Sequence, residues 1–126
     1  MQSQADERVR VLAVSGNPQN LVLLTRVLET AGYDVFTAAC LDAFDKAIGD
    51  EVKPNLALVD ITGFDQRIWS RCEKLREEDV LFLLVGARHR MALDQAGDRV
   101  GAASVLVKPL AVRELVNLIG LLLQPA

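Results

Sequence analysis

The sequence predicts an α/β domain in which a five-stranded parallel sheet carries helices on both faces. Two observations predict it. Short, continuously apolar runs of strand length alternate five times with segments whose apolar residues recur every three or four positions. Gly, Pro or Asn punctuates most of the junctions between them. A strand that is apolar throughout, rather than at every second residue, is one covered on both faces. Strands separated by helices run parallel through right-handed crossovers, and such sheets keep their chemistry at the carboxyl ends of the strands. The 126 residues suit one core, so a single domain over 1–126 is expected, with 1–7 a flexible N-terminal segment.

Val9 to Val14 reads as the first strand. Asn17 then offers an N-cap with Pro18 in the first helical turn, and Leu21, Leu24 and Leu28 recur at helical spacing until Gly32. Tyr33 to Ala38 is the second strand. Ala43, Phe44, Ala47 and Ile48 form the second helical face, ending near Gly49, and Leu56 to Val59 is the third strand. Phe64, Ile68, Cys72 and Leu75 mark the third helix, with Trp69 beside that stripe in a partly buried packing role. Val80 to Val85 is the fourth strand, Met91 to Ala96 a short fourth helix before Gly97, Ala103 to Val107 the fifth strand, and Ala111 to Leu123 the last helix.

The composition, 51% apolar and 25% charged, is that of a globular protein. A net charge of −3 argues against direct nucleic-acid binding, which relies on basic surface. The first ten residues lack the apolar run of a signal peptide, and the stretch Leu118 to Leu123 falls far short of the roughly 20 residues that cross a bilayer. A cytoplasmic protein with no membrane contact is expected. Cys40 and Cys72 have neither a Cys-x-x-Cys pairing nor a nearby histidine, so both read as reduced core residues. Arg88-His89-Arg90 is the one compact basic cluster and reads as a solvated helix start; His89 alone makes no metal site. The last helix is more apolar than a single core-facing stripe requires. Either it wraps deeply on the sheet, or Leu118, Leu121 and Leu122 form a contact surface for a second copy or another partner.

The residues just past the strands are Ser15 and Gly16, Cys40, Asp60, Gly86 and Ala87, and Lys108. Asp60 closes the third strand and Lys108 the fifth, so a carboxylate and an ammonium can meet above the sheet. One reading is a structural ion pair. The other is a nucleophilic carboxylate with a cationic partner for an incoming phosphoryl group.

From Arg8 to Leu123 the chain resembles the receiver domain of two-component response regulators. The resemblance rests on "NPQNLVLLTRVLETAGYDV", on "PNLALVDI" around Asp60, on the "KLR" that ends the third helix, and on "GAASVLVKPL" before the last helix. It implies a flavodoxin-like, receiver-type (βα)5 fold, with Asp60 at the phosphoacceptor position and Lys108 at that of the lysine. It also implies an acidic pair that holds Mg2+ at positions 15 and 16, a hydroxyl at 86 and an aromatic switch residue at 105. This sequence has Ser15, Gly16, Gly86 and Val105 there instead.

With one carboxylate, Mg2+ binding is expected to be weak at most, drawing on Asp60, Asn17 and a carbonyl near Thr62; no cofactor is expected. The sequence therefore reads as a degenerate receiver, a non-enzymatic signalling module acting by protein contact. Its partners are of the kind the resemblance implies: a histidine kinase, a phosphotransfer protein or an effector. The alternative keeps Asp60 as a working acceptor in a phosphorelay. A small-molecule site for a nucleotide or flavin at the same edge is the third reading, against which stands the absence of a G-x-G-x-x-G or Walker pattern in "SGNPQN".

Overall fold

The structure is a computed structural model that describes residues 8–87 and 90–124. Arg88, His89 and the segment 1–7 lie outside the described residues. The elements alternate without exception: β1 (Arg10–Ser15), α1 (Pro18–Thr30), β2 (Asp34–Ala38), α2 (Leu41–Gly49), β3 (Leu56–Asp60), α3 (Ile68–Glu77), β4 (Leu81–Gly86), α4 (Arg90–Val100), β5 (Ser104–Val107) and α5 (Val112–Leu122). All strand pairings are parallel, in the order β2-β1-β3-β4-β5. The chain moves outward from β1 to β2 and then returns to the other side of β1. That reversal places a crevice at the carboxyl ends of β1 and β3.

α1 and α5 pack on one face through Leu21, Leu24, Leu28, Leu115 and Ile119; α2, α3 and α4 cover the other through Phe44, Ile48, Ile68, Leu75 and Val100. Val11–Val14 and Leu56–Val59 are wholly buried between these layers, which is why their sequence shows no polar alternation. Asn17 caps α1: its side-chain oxygen accepts the N–H groups of Gln19 and Asn20 at 2.9 and 3.1 Å. Gly32, at φ +99°, supplies the left-handed turn that leads into β2.

Three expectations need correction. α4 does not stop before Gly97 but continues to Val100, because Gly97 is a packing position: a Cβ there would stand 2.6 Å from Val105 Cγ2. A glycine inside a helix is tolerated where another element must approach, and the helix ends instead before Gly101, at φ +84°. Phe64 packs on the core from the turn ahead of α3 rather than from the helix itself. Cys40 is exposed in the β2–α2 connection and only Cys72 is a core cysteine. Burial, with a smaller contribution from the charge of Glu73, pushes the Cys72 thiol up to about 12. Trp69 is partly buried against the same core.

Candidate functional site: the strand-end edge

Parallel register sets Ser15 directly beside Asp60 at the ends of β1 and β3, and Lys108 comes directly after Val107, the last residue of β5. Asp60 is 1% exposed. A carboxylate this deep is tolerable only when it is paired and hydrogen-bonded, and it is both. Lys108 Nζ lies 2.8 Å from Asp60 Oδ2 and donates a second hydrogen bond to Thr62 Oγ1 at 3.1 Å. Oδ2 also faces the Ser15 hydroxyl and the Asn20 Nδ2 group, each at 3.3 Å. Oδ1 accepts the Thr62 N–H at 3.0 Å. The Lys108–Pro109 peptide bond is cis.

Asn20 is a site residue that sequence reasoning missed. Asn17 was expected to offer an oxygen to a cation, but that oxygen is committed to the end of α1. Asn20, in the first turn, reaches Asp60 instead. A signal for it was present: Asn20, Leu24 and Leu28 recur every four residues, so Asn20 is the polar upper end of a buried stripe.

The positions without functional side chains are filled rather than empty. A Cβ on Gly86 would meet Leu93 Cδ2 at 2.8 Å, so a leucine of α4 occupies the space a hydroxyl side chain would need. Val105 packs on Gly97 in the same way. At Gly16 a Cβ would lie 3.2 Å from the carbonyl of Gly63 and 3.3 Å from that of Thr62. The β1–α1 and β3–α3 turns therefore meet backbone to backbone, with Gly63 at φ +88°.

These residues do not fit a Mg2+ centre, which is built from about six oxygens with carboxylates supplying charge. Asp60 Oδ2 is taken by Lys108, the Asn17 amide caps a helix, and the Thr62 N–H and hydroxyl serve Asp60 and Lys108. Among the described residues no three His, Cys, Asp or Glu side chains gather as metal ligands.

On α5, Leu118 and Leu122 are partly buried against the α1–α5 layer of the core; of the three contact candidates only Leu121, 64% exposed, lies open. The wide apolar character of this helix is therefore mostly core packing. No helix among the described residues is long and apolar enough to cross a membrane.

No protein-family model matches the chain, and no curated protein sequence matches it. Solved structures do. A response regulator receiver domain protein (CheY-like) from Methanospirillum hungatei JF-1 superposes with a TM-score of 0.81 at 26% identity, covering 93% of this chain and 94% of that one. A response regulator from Burkholderia pseudomallei, described with a phosphorylated aspartic acid, a calcium ion and citrate, gives 0.75 at 22%, covering 94% and 76%. A pilus assembly-related protein from Burkholderia pseudomallei K96243 gives 0.74 at 21%, covering 95% and 91%; at that identity the last two speak to fold alone. The class is thus defined: the fold is the CheY-like receiver fold. The structural neighbours include response regulator receiver domains, signalling modules of two-component systems, and they support that general reading of this chain.

Proposed function

We propose that this chain is a degenerate receiver that signals through protein contact, its state set by a partner rather than by phosphate on Asp60. The observation that carries the reading is the shell around Asp60. Its Oδ2 is held by Lys108 at 2.8 Å and faced by Ser15 and Asn20, with no second carboxylate at positions 15 and 16. Phosphoryl transfer depends on positioning and on neutralising the charge of the transferred group. Among the described residues Lys108 alone is seen to supply that charge, and Leu93 occupies the space of the hydroxyl that would bind the product. Val105, packed on Gly97 in place of an aromatic ring, removes the moving part of the usual readout.

The partners proposed are a histidine kinase, a phosphotransfer protein or an effector, met in the cytoplasm. One observation favours the second reading, a working phosphoacceptor in a phosphorelay: Asp60, Lys108 and Thr62 still converge at the strand ends. Incubation with Mg2+ and acetyl phosphate or phosphoramidate, then intact mass, separates the two, with Asp60→Ala as control. The degenerate reading predicts no mass gain. A gain of one phosphoryl group that the control lacks would establish the acceptor instead.

A further inference from the structure

Asp60 and Lys108 face a cavity that opens on the helix side of the strand ends and not on the loop side. On the loop side, the backbone contact between Gly16 and Gly63 draws the two turns together, and the cavity lined by those glycines does not reach Asp60. On the helix side, Asp60, Lys108 and Asn20 form one end of a groove of about 290 Å³ between α1 and α5. Its walls are otherwise apolar: Leu23, Leu24 and Val27 from α1, and Leu110, Val112 and Leu115 on the other side. Leu23 and Val112, on opposite walls, are 59% and 55% exposed. An apolar cleft that ends on a few convergent polar groups is the usual form of a small-molecule site.

The polar end fixes the chemistry of the occupant. Two of the three N–H bonds of Lys108 go to Asp60 and Thr62, which leaves the third without a protein partner among the described residues. Asn20 likewise uses one of its two amide N–H bonds, on Asp60. A ligand that ends in an acceptor satisfies both; an ammonium has no lone pair to accept from either, and a bare alkyl end takes water from these part-buried donors without replacing it. We propose that the α1–α5 groove binds a small amphipathic carboxylate, its oxygens on Lys108 and Asn20 and its alkyl body between the two helices. The charge of Asp60 is already matched by Lys108, so the head group gains charge-assisted hydrogen bonds rather than net attraction. This site does not depend on whether Asp60 accepts phosphate.

The test is calorimetric titration of the full chain with octanoate, 1-octanol and octylammonium, with amide and methyl NMR shifts to locate binding. Octanoate is expected to bind at submillimolar concentration, about tenfold more tightly than octanol, as one charge-assisted hydrogen bond implies. The shifts should centre on Asn20, Leu24 and Leu115. Val112→Trp, which fills the groove from its exposed wall, should abolish binding without lowering the melting temperature. In Asp60→Asn/Lys108→Met, which keeps the volumes and removes both charges, the preference for octanoate over octanol should vanish. Failure of all three probes to bind would overturn the proposal. So would equal affinity for octanoate and octanol in the unaltered protein, binding that survives Val112→Trp, or shifts centred elsewhere.

Discussion

The two sides of the strand-end edge solve the same problem by opposite means. Between β1, β3 and β5 the edge is polar: a buried carboxylate is matched by an ammonium, a hydroxyl, an amide and a backbone N–H. Between β4, β5 and α4 it is apolar: Gly86 receives Leu93, and Gly97 receives Val105. The polar side retains its charges because each is costly to bury alone. The apolar side is closed by packing: α4 meets the sheet through Leu93 over Gly86 and through Gly97 under Val105. A larger side chain at Gly86 or Gly97 therefore requires its neighbour to repack as well.

The largest effect that probes this contrast is expected at Lys108. Lys108→Met leaves Asp60 buried without a cation and should lower unfolding free energy by about 3 kcal/mol in urea. Asp60→Asn/Lys108→Met should recover most of that. A single-variant loss below about 1 kcal/mol would mean the pair is not the anchor of the polar side.

Next is the apolar side. Gly97→Ala places a methyl 2.6 Å from Val105 Cγ2 and should cost about 2 kcal/mol, with Val105→Ala relieving it in a double-mutant cycle. Purely additive losses would break the proposed fit.

Cys72 belongs to the same apolar layer and gives a pH signature. Burial, with a smaller contribution from the Glu73 charge, holds the folded thiol up at about 12, against the ordinary 9.0 of an unburied thiol. Between those values the unfolded state binds fewer protons, so stability falls as pH rises, by up to about 1.4 kcal/mol per pH unit from this group. Below pH 9 its contribution is fully present. Cys72→Ala should flatten the alkaline slope of unfolding free energy, and an unchanged slope would contradict the burial of the thiol.

Gly86→Ser should cost less, about 1 kcal/mol, because the obstructing atoms are the mobile ends of Leu93. Leu93→Ala should accommodate the serine, as judged by thermal unfolding of the pair. The smallest change in stability is expected at Leu121, which is exposed on α5. Leu121→Glu should leave the melting temperature unchanged. If α5 carries a self-contact, the variant should elute later than the parent in gel filtration, and an identical elution volume would exclude Leu121 from any such contact.

Legibility in the sequence divided along the same line. Continuous apolar runs such as Leu56–Val59 exposed the doubly covered sheet directly, and Asp60 and Lys108 stood out because charge at a strand end is conspicuous. The roles of Leu93 and Asn20 were not legible in the same way, because what fills the space of a missing side chain depends on a distant element. Asn17 misled because a capping residue and a metal ligand use the same oxygen, and the local helix end claimed it. Gly97 misled because a glycine reads as a helix stop until the strand that packs on it is seen.

On the polar side Lys108 already occupies the place a cation would take on Asp60. Titration of the full chain with Mg2+, monitored through the amide resonances of Ser15, Thr62 and Lys108, tests it most directly. The account predicts flat responses at these three through millimolar Mg2+. Saturable, concerted shifts at all three would show that the metal displaces Lys108 from Asp60, and would contradict it.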